Sequence, residues 1–194
     1  MDVELRESAA LEGDVRQAIV RDEIQPHYQP LMQLAENRLV GFEILARWRH
    51  PTRGDVDPEI FIPAAERLGL VAQLTYTLLR RACLDARNWP GDITLALNVS
   101  PRHFIDPLLP VKLLAILSET SFSPMRLEIE VTETALISDF PAARTVLVAL
   151  QAIGIKISLD DFGTGYSSLY HLRELSFDKI KIDRSFVQAM ETDA

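Results

Sequence analysis

Apolar and polar positions along the chain follow two periods. From Asp14 to Ile24, Val15, Ala18 and Ile19 fall on one helical face and Pro26 ends the pattern, whereas residues 1–10 show no clear period and read as a tail or linker. Two extended stretches follow, His27–Leu34 and Leu39–Trp48, joined by the polar turn Ala35-Glu36-Asn37-Arg38. Asp57-Pro58 is a cap followed by a first-turn proline, and it opens a short helix through Leu68. Leu70–Asn88 reads as a longer helix, with Val71, Leu74, Leu78, Leu79 and Ala82 at helical spacing and Trp89-Pro90-Gly91 as its stop. From there short apolar runs alternate with helices. The runs are Ile93–Val99, Arg126–Val131, Ile155–Leu159 and Phe177–Ile182. One intervening helix is opened by Asp106-Pro107 and carries Leu109, Leu113, Leu114 and Leu117; another spans Pro141–Ile153 with Gly154 in the C-cap position. A Gly/Ser loop and a brief helical segment near Leu169–Leu175 precede the last run, and Ser185 opens a final helical pattern. This alternation predicts βαβ units, an α/β fold on a mostly parallel sheet buried on both faces, with no visible repeat or second domain.

Composition narrows the class. The 194 residues are 47% apolar and 25% charged, far too apolar for a disordered acidic chain. Cys83 is the single cysteine, so no internal disulfide and no multi-cysteine zinc site is available. No apolar run approaches the ~18 residues of a membrane helix. The acidic and basic residues among the first fourteen are not those of a signal peptide, which makes a reducing, cytoplasmic setting the expectation. A net charge of −8 argues against a long nucleic acid as partner, yet leaves room for a small anion reached through metal ions.

Chemistry concentrates where the predicted strands end. The second strand reaches Glu43, the next ends at Asn98, another at Glu130 with Glu133 three residues on, and another at Asp160-Asp161. The last carries Lys181 and then Asp183. In parallel α/β sheets and barrels these carboxyl ends converge on the ligand site. Glu43, Glu130, Asp160 and Asp161 brought to one mouth could not all ionise without a counter-ion. An all-oxygen set completed by the Asn98 amide selects a hard cation such as Mg²⁺ or Mn²⁺, and adjacent aspartates suit two ions. Any one acid after a strand could instead be a cap, and a lone strand lysine a snorkelling surface group; Glu43 and Glu130 are poor caps, and the coincidence at successive ends favours a site.

Other motifs fall away. The loop Phe162-Gly163-Thr164-Gly165-Tyr166-Ser167-Ser168 lacks the third glycine of a dinucleotide fingerprint, and the aspartates before it would repel a pyrophosphate. His27, His50, His103 and His171 have no metal-like spacing, and no G-x-S-x-G occurs.

In this order the residues resemble the EAL family of cyclic di-GMP phosphodiesterases, from about Leu11 to the last residue. The resemblance is carried by Tyr28-Gln29-Pro30-Leu31, Glu43-Ile44-Leu45 with Arg47-Trp48 and His50-Pro51, and Phe61-Ile62-Pro63 with Ala65-Glu66. It continues through Asn98-Val99-Ser100-Pro101, Glu130-Val131-Thr132-Glu133, Asp160 to Leu169, and Lys179-Ile180-Lys181-Ile182-Asp183. It implies a modified TIM-type (β/α)8 barrel with an antiparallel first strand, to which the short turn after Leu34 is suited. It also implies roles: Glu43, Asn98, Glu130 and Asp160 as ligands of a first metal, and Asp160 with Asp161 as ligands of a second. Lys181 would orient the attacking water and Glu133 anchor the 161–168 loop. Gln29, Arg47 and, with a less defined role, Asp183 would contact substrate, Arg47 through its fixed donor fork. The implied reaction is Mg²⁺- or Mn²⁺-dependent hydrolysis of cyclic di-GMP to linear pGpG in bacterial signalling. A homodimer and an upstream GGDEF or sensor domain are the partners expected by analogy.

Two departures matter. Ile44 stands where the family's name has alanine, and the family's later A-E-G-V-E-like motif, whose glutamate completes the metal site, does not occur in these residues. Such barrels usually need ~250 residues. The expectation is therefore a barrel domain over 11–194 lacking its last strand–helix units. A non-catalytic EAL-type receptor for cyclic di-GMP, or a protein-interaction module, stays open beside the enzyme.

Overall fold

A computed structural model describes residues 2–132, 136, 139–163, 174–183, 185, 186 and 188, with side chains from residue 9 onward. Its strands are β1 (Ile24–Gln33), β2 (Arg38–His50), β3 (Gly54–Val56), β4 (Thr94–Asn98), β5 (Leu127–Thr132), β6 (Lys156–Phe162) and β7 (Lys179–Ile182). The helices are α1 (Asp2–Val20), α2 (Pro58–Arg67), α3 (Val71–Asp85), α4 (Leu109–Thr120) and α5 (Phe140–Ala152). The strands form one sheet in the order β1-β2-β4-β5-β6-β7, with β3 paired to β2. β1 runs antiparallel to β2, and β2, β4, β5, β6 and β7 run parallel. The expected antiparallel first strand is present, and the remaining strands are parallel apart from β3, which runs antiparallel to β2. No helix among the described residues is long and apolar enough to cross a membrane.

Several boundaries differ from the periodicity. α1 begins at Asp2, so residues 2–10, read as tail or linker, continue a helix whose Val15, Ala18 and Ile19 are buried. The same helix stops at Val20, and β1 starts at Ile24 and carries Pro26 and Pro30. A strand at the sheet's edge tolerates prolines because one row of its backbone donors needs no partner. The long helix is α3 plus a 3₁₀ turn, Ala86–Asn88. A second 3₁₀ turn, Pro101–Ile105, follows Ser100, whose hydroxyl accepts from the Arg102 N–H. Caps behave as read at Asp57, which accepts from the Glu59 N–H at 2.9 Å, and at Gly154, whose φ is +92° just past α5.

Ladder register explains the fold's two-sided chemistry. Leu97, Ile129 and Ile157 are ladder neighbours, as are Val131, Leu159 and Ile180, and all point to one face. There all but the exposed Ile180 join Leu79 and Ala82 of α3, Leu113 and Leu117 of α4 and Leu147 and Leu150 of α5 in the main core. A smaller core gathers Val15, Trp48, Phe61 and Leu74 from α1, β2, α2 and α3. The opposite face carries Ala96, Asn98, Glu128, Glu130, Ser158, Asp160 and Lys179, because successive strand residues alternate sides. Glu128, Glu130 and Ser158 are buried there. Cys83 lies in the main core, where burial pushes its thiol up to about 12 and makes it inert.

Gly41 sets the approach of β2 to β4. A Cβ at this position would collide with Thr94 Oγ1 and lie 2.8 Å from the Thr94 carbonyl oxygen, within the backbone of the neighbouring strand. Gly41→Ala is expected to destabilise the protein by about 1–3 kcal/mol, as overpacking does; an unchanged urea midpoint would refute the close-approach argument.

His103, on the second 3₁₀ turn, is buried against Tyr76 of α3, and its Nδ1 donates to the Ser100 carbonyl at 3.1 Å. Burial depresses its pKa and Lys112 adds to this, while the Ser100 carbonyl, Glu66 and Asp106 oppose it. A histidine depressed in the folded state takes up its proton first in the unfolded state, so its contribution to stability is lost as pH falls below about 6.5. His103→Phe should flatten the pH dependence of the unfolding midpoint between about pH 7.5 and 5.5, a difference that chemical denaturation at the two pH values measures directly.

Candidate functional site

The site forms where the polar face of the sheet reaches the carboxyl ends of β4, β5, β6 and β7 beside the middle of β2, which runs on past Glu43 to His50. Glu43 on β2 is opposite Ala96, and Asn98, two residues further along β4, is opposite Glu130 on β5. Asn98 Nδ2 donates to Glu43 Oε1 at 2.7 Å. Asp160 lies one step beyond Ser158, the ladder partner of Glu130. Lys181 alternates with the apolar Ile180 and Ile182 and projects into this group. Its Nζ stands 2.8 Å from Asp160 Oδ2, 2.9 Å from Glu130 Oε1 and 3.6 Å from Glu43 Oε2. Three carboxylates on three strands thus face one ammonium on a fourth.

The electrostatics follow from that count. Glu130 has a side chain only 1% exposed. Burial drives its pKa up to about 7, Glu43 and Asp160 push the same way, and Lys181 alone pulls it down. Burial works against the Lys181 charge, yet its bonds to Asp160 and Glu130 and the nearby Glu43 hold its pKa above the usual lysine range. With all four groups ionised the cluster carries a net charge of about −2, which a divalent cation would balance.

Asp161 adopts φ +54°, a left-handed conformation that costs a non-glycine residue about 1–3 kcal/mol. Its N–H donates to Asp160 Oδ1 at 2.9 Å, and the β6–β7 register shifts between Leu159 and Phe162. Next comes Gly163 at φ +102°, where a Cβ would lie 2.6 Å from Phe186 Cε2. The backbone therefore turns sharply at the two aspartates. The helix-cap alternative for Asp160-Asp161 falls on residues after 163 that lie outside the described set.

The remaining candidates separate. Gln29 is exposed on β1 as the ladder partner of Glu43, which puts it beside the cluster. Arg47, also exposed, lies on the polar face two steps beyond Leu45, and its Nη1 donates to the Ala46 carbonyl at 2.9 Å. It lines a cavity of about 320 Å³ together with Ile44, Leu97, Asn98, Glu130 and Thr132. The bulk of Ile44 is therefore accommodated at a cavity wall and in the core behind it. Asp183 Oδ1 accepts from the Ser185 N–H at 2.9 Å and from the Ser185 hydroxyl, so this carboxylate organises the turn after β7. Glu133 and His171 lie outside the described residues.

The structure also brings in residues that a reading of strand ends passes over. Glu128 and Lys179 form an ion pair on the same face, one layer below Glu130 and Lys181. Their signal was the alternation in Leu-Glu-Ile-Glu and Lys-Ile-Lys-Ile, which places two acids on one side of β5 and two lysines on one side of β7.

The donor chemistry of the cluster suits a hard cation. Among the described residues no three His, Cys, Asp or Glu side chains are arranged around a common metal position; the carboxylates turn to Lys181 instead. Yet the Glu130 carboxylate oxygens are buried without a hydrogen-bond partner, Oε1 having only its ion pair with Lys181. Orphaned carboxylate oxygens beside Glu43, Asp160 and an amide are the donors that Mg²⁺ or Mn²⁺ takes.

A sequence model of the EAL domain matches residues 12–194. The chain belongs to the EAL domain family. An uncharacterized signaling protein of Caulobacter vibrioides is 48% identical over 188 residues, covering 97% of this chain and 23% of that protein. The bifunctional diguanylate cyclase/cyclic di-GMP phosphodiesterase MucR of Pseudomonas aeruginosa is 37% identical over 198 residues, covering all of this chain and 29% of MucR. The chain spans about a quarter of the length of the curated relatives at the head of this group. The solved PaMucR phosphodiesterase in complex with c-di-GMP superposes with a TM-score of 0.88 at 38% identity, covering 94% of this chain and 75% of that one. The EAL domain described above therefore has the mixed α/β, TIM-barrel-like fold of its relatives.

Proposed function

We propose that this EAL domain hydrolyses one phosphodiester bond of cyclic di-GMP to give linear pGpG, with Mg²⁺ or Mn²⁺ ions as cofactors. The observation that carries this reading is the convergence of Glu43, Asn98, Glu130, Asp160 and Lys181, from five strands, within 2.7–3.6 Å contacts. Glu43, Asn98, Glu130 and Asp160 would hold one ion, and Asp160 with Asp161 a second. When bound, the ions supply Lewis-acid charge stabilisation at the phosphoryl oxygens and lower the pKa of water.

The chain's own residues do the rest. Lys181, held by Asp160 and Glu130, directs its ammonium at the mouth and orients the attacking water. Arg47 presents a planar donor fork at the cavity rim, suited to a phosphate. Gln29, beside Glu43, contacts the substrate from β1. Asp183, which closes the turn after β7, takes a place at the substrate side, and Glu133 anchors the loop that follows the aspartates. The setting would be the cytoplasm, in a longer signalling protein whose other domains include a GGDEF or sensor module, with dimerisation through a second copy.

The test is direct. The 194-residue chain incubated with cyclic di-GMP and Mn²⁺ should release pGpG; EDTA should stop it, and Glu43→Ala should reduce it by 10²-fold or more. Tight nucleotide binding without hydrolysis would overturn the reading in favour of a receptor, and turnover persisting in EDTA would remove the metal role.

A further inference from the structure

The polar face of the sheet holds a second charge layer that the proposed chemistry leaves unused. Glu128 and Lys179 precede Glu130 and Lys181 by two residues on β5 and β7, so all four point to the same side. Lys179 Nζ lies 2.7 Å from each carboxylate oxygen of Glu128. The Glu128 side chain is only 5% exposed, whereas Lys179 is 46% exposed. Ser158, fully buried, is the ladder partner of both Glu130 and Lys179 and separates the two layers with a small side chain. Lys156, the ladder partner of Glu128 on β6, is exposed.

We infer that Lys179 is a positioning residue, which by neutralising Glu128 leaves the ammonium of Lys181 to Asp160 and Glu130 at the mouth. A buried carboxylate must find a cation or lose its charge. With Lys179 absent, the next ammonium on the same strand and face is Lys181, one layer above. Drawing it down to Glu128 would break its contacts of 2.8 Å to Asp160 and 2.9 Å to Glu130. The two ends of the lower pair are not equivalent. Removing Lys179 strands a buried carboxylate, whereas removing Glu128 leaves a half-exposed lysine whose head reaches water. Loss of Lys179 should therefore be harmful, loss of Glu128 mild, and loss of both mild.

The kinetic part of the test rests on the phosphodiesterase reading; the spectroscopic part does not. The full chain, labelled with ¹⁵N-lysine, reports the Lys181 Nζ resonance, assigned by its disappearance in Lys181→Arg. In Lys179→Met that resonance should shift and kcat should fall about tenfold with KM changed by less than about twofold, because a misplaced ammonium no longer orients the attacking water for the chemical step. Adding Glu128→Gln should return both resonance and kcat to wild type, and Lys179→Arg should keep them. An unchanged resonance and kcat in Lys179→Met would overturn the inference, since Glu128 would then be served by Lys156 or water. A folded Glu128→Gln/Lys179→Met protein with impaired kcat or a displaced resonance would overturn it equally, and this variant decides the matter if Lys179→Met alone fails to fold. A wild-type chain without turnover would count against the phosphodiesterase reading while the resonance comparison still decides the role of Lys179.

Discussion

Glu130→Gln is expected to abolish turnover of cyclic di-GMP and, with divalent cations removed, to make the protein more stable. Both effects come from the same two oxygen atoms. They are buried, lack hydrogen-bond donors, and share one ammonium with Glu43 and Asp160. Keeping that carboxylate ionised opposes folding, which is why its pKa rises to about 7. A group raised in this way contributes most when protonated, and the contribution is lost as pH rises through its folded value. The amide variant has no such loss, and Lys181 keeps Asp160 and Glu43 as partners. The gain in metal-free stability should be about 1–2 kcal/mol at pH 8 and vanish near pH 5. Turnover should drop by 10²-fold or more if the same oxygens ligate a cation in the working enzyme. Melting curves in EDTA at the two pH values, beside an activity assay, measure both; a less stable variant at pH 8 would contradict the picture of an undercompensated charge.

Lys181→Met should act in the opposite sense on stability and in the same sense on catalysis. The substitution removes the ammonium on which three carboxylates converge, and stranding buried charge costs about 3–5 kcal/mol. The metal-free variant should therefore melt well below wild type. Mn²⁺ should restore more stability to it than to wild type, because the cation would replace the missing charge and meet no competing ammonium. Turnover should stay 10²–10⁴-fold below wild type even when the ion is bound, since the ammonium that orients the attacking water is gone. Melting temperatures with and without Mn²⁺ separate the two effects. Equal Mn²⁺ stabilisation of variant and wild type would mean that Lys181 and the cation do not share a locus.

Much of this was legible in the residue order. Short apolar runs between helices implied a parallel sheet, and the family resemblance implied an antiparallel first strand, to which the four-residue polar turn is suited. A polar residue of one chemical kind at each strand end implied a shared mouth, which the structure realises for Glu43, Asn98, Glu130, Asp160 and Lys181. What was misjudged has local causes. Residues 2–10 show no periodic apolar face in the sequence, yet they continue the helix whose Val15 and Ala18 are buried. Pro26 looked like a helix stop and is an edge-strand residue.

The sequence by itself determined which residues alternate, which strands are buried on both faces and which carboxylates stand at their ends, because these depend on period and spacing along one segment. Only the tertiary structure decided which charge meets which. Lys181 could have served any acid on its face; the ladder register gives it Asp160 and Glu130 and gives Glu128 to Lys179. That pairing depends on the offset between strands that are distant in sequence, and it is set by packing of the apolar face against α3, α4 and α5. The polar face inherits its geometry from the core behind it.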